Sequence, residues 1–307
     1  MASAAAPPGH HSLGLWSLSL ACFTMGTASI AVVGLVQPMA TDLSVPQPYV
    51  AVLITVFAIT FALAAPLLQV AAGSLPRRTL LLGGLATMAA CCLLSALAPS
   101  YGGVVAARVL LALGAAAVGP VASSLGAGMM PPEQGQALAV VFGGMTLASV
   151  LGLPLTAWLG ALWGWRTMFV ALAALAVAVA LGVAVLVSDS GGAPGITLAS
   201  LGQVFRQRAA GWGVAMSVCL MAAQFALFAL VAPYLQQRYG LPPAQLSLAL
   251  LVGGLSGVAG NLLAGRLGDR LGAARSLQWS VTGMGCASAA LLLLPGLPWL
   301  GMAAYAA

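Results

Sequence analysis

The sequence predicts an all-α, polytopic membrane protein, and three observations carry that prediction. Charged residues make up 5% of the chain, against about a quarter in a soluble domain. The mean hydropathy is +1.08. The apolar residues gather into nine long runs, near 14–40, 49–72, 79–98, 103–128, 137–161, 167–187, 211–235, 245–265 and 277–294. Each has the ~20 residues that a helix needs to cross a bilayer. A transmembrane barrel would show ~10-residue segments of alternating polarity, and these runs do not alternate.

The first run follows a tail, Met1 to Ser12, that lacks Lys and Arg and holds His10 and His11. A signal peptide has a basic start and a shorter apolar core, so Leu15 to Met39 is expected to be a retained helix. The second and third runs flank the loop Gly73 to Arg78. The fourth carries Arg108 within it. The fifth holds Gly143, Gly144, Gly152 and Pro154, where small residues permit close helix approach and proline bends the helix. The sixth opens after Trp163-Gly164-Trp165-Arg166. The polar stretch 188–210 then separates an N-terminal half, 1–187, from an incomplete C-terminal half, 211–307, with runs seven to nine and a stub, Leu297 to Ala307.

Every basic residue is arginine. With the N-terminus inside, Arg77, Arg78, Arg206, Arg208, Arg266, Arg270 and Arg275 fall on the cytoplasmic side, and Arg166 and Arg238 fall outside. That is the positive-inside bias; it predicts a multi-pass protein of the plasma (inner) membrane. The arginines are scattered, with no aromatic platform, which argues against nucleic acid as a partner despite the net charge of +6. Cys22, Cys91, Cys92, Cys219 and Cys286 lie inside runs without metal or redox spacing, so they are expected to pack as small apolar residues. No cofactor or metal is expected. An intramembrane protease needs a Ser–His pair within the spans, and nucleotide hydrolysis needs a P-loop. Neither pattern occurs, so the chain does not read as an enzyme.

The two halves look related. Gln37-Pro38-Met39 ends run one as Ala232-Pro233-Tyr234 ends run seven, and the loop after run two matches that after run eight at a similar offset. Parallel repeats of this kind are a transporter plan. The strongest single motif is Gly265-Arg-Leu-Gly-Asp269-Arg270-Leu-Gly272. It reads as a Gly-rich loop presenting an Asp that can cap another helix or pair with arginine.

This loop resembles the motif G-x-L-a-D-R-x-G-r-R of the major facilitator superfamily, with Ala273 and Ala274 replacing the final basic pair. The first-half copy is degenerate: Gln69, Gly73 and Pro76 stand for Gly, Asp and Gly, while Arg77 and Arg78 remain. Arg108 to Gly114, Gly143 to Pro154 and Trp163 to Phe169 are similar to further motifs of that superfamily, in the drug:proton antiporter and sugar-efflux-like branch. The resemblance implies a bundle of two helical halves and alternating access, with the Asp269 motif gating the cytoplasmic side. It also implies twelve spans, so the chain is expected to be truncated at its C-terminus. Where relatives carry an acid in span one, this chain reads Gly26-Thr27-Ala28-Ser29-Ile30. Protons are the candidate coupling ion, yet no acid or histidine lies within a predicted run.

In the superfamily, spans one, four, seven and ten line a central cavity. The resemblance therefore assigns Thr27, Ser29, Gln37, Arg108, Ser123, Ser124 and Gln224 as substrate-cavity candidates. Ser and Thr in helices usually bond their own backbone, and Arg108 can either face the cavity or snorkel to the interface. Gln224 and Asn261 can also serve as interhelical glue. An apolar lining with one fixed cation suits a small neutral, lipophilic or singly anionic solute. The expected function is secondary active export of such a solute across the lipid bilayer. The alternative is a non-transporting truncated protein or a partner-dependent subunit.

Overall fold

In a computed structural model of the chain, residues 8–72, 74–188, 207–239 and 243–293 are described. Their regular elements are all helical: α1 (Pro8–Asp42), α2 (Gln47–Ala71), α3 (Arg77–Leu97), α4 (Tyr101–Met129), α5 (Gln134–Leu147), α6 (Leu153–Trp163), α7 (Trp165–Leu186), α8 (Arg208–Tyr239), α9 (Pro243–Leu271) and α10 (Ala273–Leu293). Among the described residues, six helical segments are long and apolar enough to cross a membrane: Ser12–Asp42, Gln47–Ala71, Arg77–Leu97, Tyr101–Met129, Gln134–Gly152 and Trp165–Leu186. The fold is an all-α, polytopic membrane fold. Leu63, Leu181 and Val185 point outward at 63, 64 and 83% exposure, a surface suited to hydrocarbon rather than to water.

Several helix boundaries differ from expectation, each for a local reason. Helix α1 starts at Pro8 rather than near residue 14, since proline suits a first helical position. Arg77 and Arg78 form the first turn of α3 rather than a loop. The fifth run is not one continuous α-helix: a π-helical turn, Ala148–Gly152, joins α5 to α6. Pro154 lies two residues past its end; it lacks an N–H, and its ring crowds the carbonyl four residues back, which a wider turn accommodates. The Gly265–Leu271 stretch is the last turns of α9 rather than a loop. It contains no residue that stops a helix until Gly272, which ends α9 at φ +82°.

The described residues fall into two compact units. The first holds α1 to α7 together with the Asn261–Arg270 end of α9; the second holds α8, the rest of α9 and α10. In the first unit α1 is the hub, touching α2, α4, α5, α6 and α7, while α3 packs along α4 and α7. The core between them includes Leu18, Leu35, Met39, Leu85, Met88, Leu111, Phe169 and Leu172, all nearly or wholly inaccessible. Cys22, Cys91 and Cys92 are buried in this core, whereas Cys219 and Cys286 are exposed.

Glycine sets the closest approaches. A Cβ on Gly84 would lie 2.8 Å from the Gly114 carbonyl, and one on Gly114 would lie 2.9 Å from the Gly84 carbonyl, so α3 and α4 touch backbone to backbone. On the other side of the hub, a Cβ on Gly144 would run into the Ser19 carbonyl of α1. The α1 terminus is a Schellman closure, with Val45 N–H on the Ala40 carbonyl at 3.0 Å and Ser44 in the left-handed region at φ 52°.

Gly144→Val therefore overpacks the α1–α5 contact and should lower stability by about 1–3 kcal/mol or more. Gly128→Ala, in open space on α4, should lose nothing. Denaturation midpoints of the two purified variants in detergent check the contrast; equal midpoints would disprove the close approach.

Candidate functional site

Arg108 sits on α4, and the buried faces of α1, α2, α3 and α7 enclose it. Its side chain is fully inaccessible, so it turns into the bundle and does not snorkel. Nη1 donates to the Ala28 carbonyl at 2.7 Å and Nη2 to the Ser29 carbonyl at 3.5 Å, both on α1. Phe57 of α2 and Phe169 of α7 hold their rings 5.5 and 5.9 Å from the guanidinium carbon. The Nε has no hydrogen-bond partner among the described residues. An arginine inside a membrane helix costs ~2.5–3.5 kcal/mol on the insertion scale. The short charged hydrogen bond to Ala28, at ~1.5–3 kcal/mol, and two ring contacts at ~0.5–1 kcal/mol or more each offset a cost of that size.

The other cavity candidates divide. Thr27 is buried at 3% exposure, and its Oγ1 has no partner among the described residues. It packs on Gly152 of the π-helical turn, where a Cβ would stand 2.7 Å from that oxygen. Ser29 bonds its own helix at the Gly26 carbonyl, 2.6 Å. Ser123 does likewise, to the Gly119 and Pro120 carbonyls at 3.1 and 3.0 Å. Gln37 and Ser124 are exposed. The structure therefore brings Ser29 to Arg108 through its backbone carbonyl, sets Thr27 against Gly152, and groups neither Gln37 nor Ser124 with them. The side chain of Gln224 lies outside the described residues.

The gating candidates meet helix ends. Asp269 Oδ1 accepts from Gly135 N–H at 2.7 Å and Oδ2 from Gln136 N–H at 2.9 Å. These are among the first amides of α5, which no intrahelical carbonyl reaches. The residue at the cap position, Glu133, makes no side-chain bond to them. A carboxylate from α9 thus caps α5 where a cap residue of its own would, favoured further by the positive end of the helix dipole. Gly265 allows the approach, since a Cβ there would stand 2.5 Å from the Ala139 Cβ and 2.7 Å from the Gly135 carbonyl. Arg270 is exposed, and Gly272 supplies the turn after α9. In the degenerate copy, Arg78 donates to the Ala184 carbonyl in the last turn of α7, and Arg77 reaches Gln69 at 3.4 Å. Both arginines therefore bind within the first unit. Gly144 packs on α1 and Gly152 on Thr27, while Pro154 is exposed just past the π-helical turn.

Sequence reasoning missed two groups. Asp42, at the end of α1, pairs with Arg166 at 2.9 Å and accepts from Trp165 Nε1 at 3.1 Å. Arg166 also donates to the Ala96 and Ala98 carbonyls at 2.8 and 2.7 Å and lies 4.4 Å from the Trp165 ring centroid. This cluster ties the ends of α1, α3 and α7. The predicted topology places Asp42 and Arg166 on the same side of the membrane, which was the available signal. The rings around Arg108 come from helices distant in sequence, and no spacing pattern links residues 57, 108 and 169.

Residues 17–307 match the sequence profile of the Major Facilitator Superfamily. The chain belongs to that superfamily. It is 35% identical over 267 residues to a chloramphenicol resistance protein of Streptomyces lividans, covering 84% of this chain and 67% of the relative. It is 30% identical over 259 residues to the inner membrane transport protein YdhP of Escherichia coli (strain K12), covering 83% and 66%. The chain spans about two thirds of the length of such relatives. Its fold is similar to that in the crystal structure of the human organic anion transporter MFSD10 (TETRAN), at a TM-score of 0.65 and 15% identity, over 98% of this chain and 84% of that one. Members of the Major Facilitator Superfamily are membrane transport proteins rather than enzymes, and this multi-pass chain is one of them. Among its described residues no group of three or more His, Cys, Asp or Glu is placed to hold a metal ion.

Replacing the buried cation of this superfamily member by a bulky apolar side chain removes its cost together with its bonds. Arg108→Leu should change stability by less than about 2 kcal/mol, while Arg108→Ala adds a cavity and should cost roughly 2–5 kcal/mol. Thermal unfolding in detergent separates the two; a larger loss for Leu than for Ala would contradict this account of the site.

Proposed function

We propose that this protein is a secondary active transporter that exports a small neutral, lipophilic or singly anionic solute by alternating access. The proposed halves are 1–187 and 211–307 with the central segment 188–210 between them. The N-terminus faces the cytoplasm of an inner membrane, and protons are the coupling ion. The observation that carries the mechanism is the seating of the Asp269 carboxylate on the free amides of α5. A cap supplied by another helix breaks and re-forms without unfolding either one. A gate that opens and shuts in a rocking cycle needs such a bond.

The bias of arginines toward one set of loops supports the orientation. The solute class rests on an interior in which, among the described residues, Arg108 is the one fully buried cation, with rings of Phe57 and Phe169 beside it. The name of the Streptomyces lividans relative, a chloramphenicol resistance protein, points the same way, because chloramphenicol is neutral and lipophilic.

Cells expressing the protein should accumulate less radiolabelled chloramphenicol than control cells, and a protonophore should abolish the difference. Asp269→Ala loses both cap bonds, worth about 0.5–2 kcal/mol, and should cut the export rate severalfold while the protein still reaches the membrane. Unchanged accumulation of chloramphenicol and of a lipophilic monoanion such as salicylate would overturn the export reading. Preference for a dicationic dye would overturn the solute class.

A further inference from the structure

The contact between α9 and α5 does not end at the Asp269 cap. Asn261, Gly265 and Asp269 stand four residues apart and so share one face of α9. Opposite them, Gly135 and Ala139 are spaced alike on α5, with Gly143 one further step along. Asn261 Nδ2 donates to the Ala139 carbonyl at 2.7 Å. That carbonyl belongs to a helix of membrane-crossing length and composition, Gln134–Gly152. Its second lone pair is free to take the amide, so α5 loses no internal bond. From Asp269 to Asn261 is about 12 Å along the helix, so the two polar contacts grip opposite ends of one close crossing.

We propose that Asn261 is the second point of this clasp, a positioning residue that sets how often the Asp269 end parts from α5. This deepens the alternating-access reading and rests on it for its consequence in transport. The two points differ in kind. Asp269 lies at a helix end and acts as a charge, so salt and water compete with its bonds. Asn261 is a neutral donor farther along a tight, glycine-lined crossing, where salt does not screen it. On parting, the Asn261 amide loses a good acceptor in apolar surroundings, and this opposes opening whatever the ionic strength.

Hydrogen–deuterium exchange on the full chain in lipid nanodiscs, at 0.1 M and 1 M salt, tests the proposal through the α5 peptide that spans Gln134 to Gly143. Asn261→Leu should speed its exchange about three- to tenfold, as expected for the loss of one interhelical hydrogen bond, and by the same factor at both salt concentrations. Asn261→Gln, which keeps a donor, should recover part of the protection. Asp269→Asn should instead weaken the salt dependence. Unchanged exchange in Asn261→Leu overturns the proposal, and so does an equal rise in peptides of α3 and α4, which would mark general loosening. Exchange is read without transport. A shifted clasp in a protein that moves no solute sustains this inference and removes the export reading; active export with an unshifted clasp does the reverse.

Discussion

Helix ends leave amides and carbonyls without partners inside their own helix, and each needs one from elsewhere. In this chain the scarce charges serve that need. Asp269 takes two amides at the start of α5, Arg166 takes carbonyls at the end of α3, and Arg78 takes one in the last turn of α7. Arg108 takes carbonyls in the middle of α1. Among the described residues the only ion pair is Asp42 with Arg166. A chain with so few charges gains more by placing each on backbone groups, which every helix supplies, than by matching side chain to side chain.

The same placement divides the helix contacts into two kinds. The α1–α5 contact is made by Gly144 against the backbone of Ser19, and the α3–α4 contact by Gly84 against Gly114. Such contacts lose their packing steeply with any separation, since dispersion falls off within an ångström. The Asp42 cluster adds a polar tie across α1, α3 and α7. The Asn261–Arg270 end of α9, by contrast, meets α5 through three side-chain hydrogen bonds and one glycine crossing. It is also the place where the Gly265–Gly272 motif falls.

The helical, membrane-crossing character of the chain was legible from run length and hydropathy, because the bilayer demands both. The role of Asp269 was legible in part. Its motif announced a cap, but not that the capped amides would be those of Gly135 and Gln136, more than a hundred positions away. The helical course of Gly265 to Leu271 was hidden because glycine usually signals a turn; here Gly265 serves a crossing, and only Gly272 turns the chain. The seat of Arg108 was the least legible. Its carbonyl partners are backbone atoms, which leave no mark on residue identity, and its rings come from α2 and α7. The Ser29 and Ser123 back-bonds followed from a local rule and needed no tertiary knowledge.

On the proposed transport reading, Arg108 also limits what a solute would encounter. Its compensation consists of neutral carbonyls and ring faces, and among the described residues its Nε has no partner and no carboxylate pairs with it. Each of these partners is weaker than an anion would be in the same low-dielectric surroundings. Any rearrangement that draws α1 away from α4 removes the carbonyls first, while the guanidinium cannot shed its proton. The cation then has to be met by water or by a solute. A neutral polar group suffices for that, a single negative charge fits better, and a second positive charge is repelled. On that reading the solute preference follows from the neutral partners that hold Arg108.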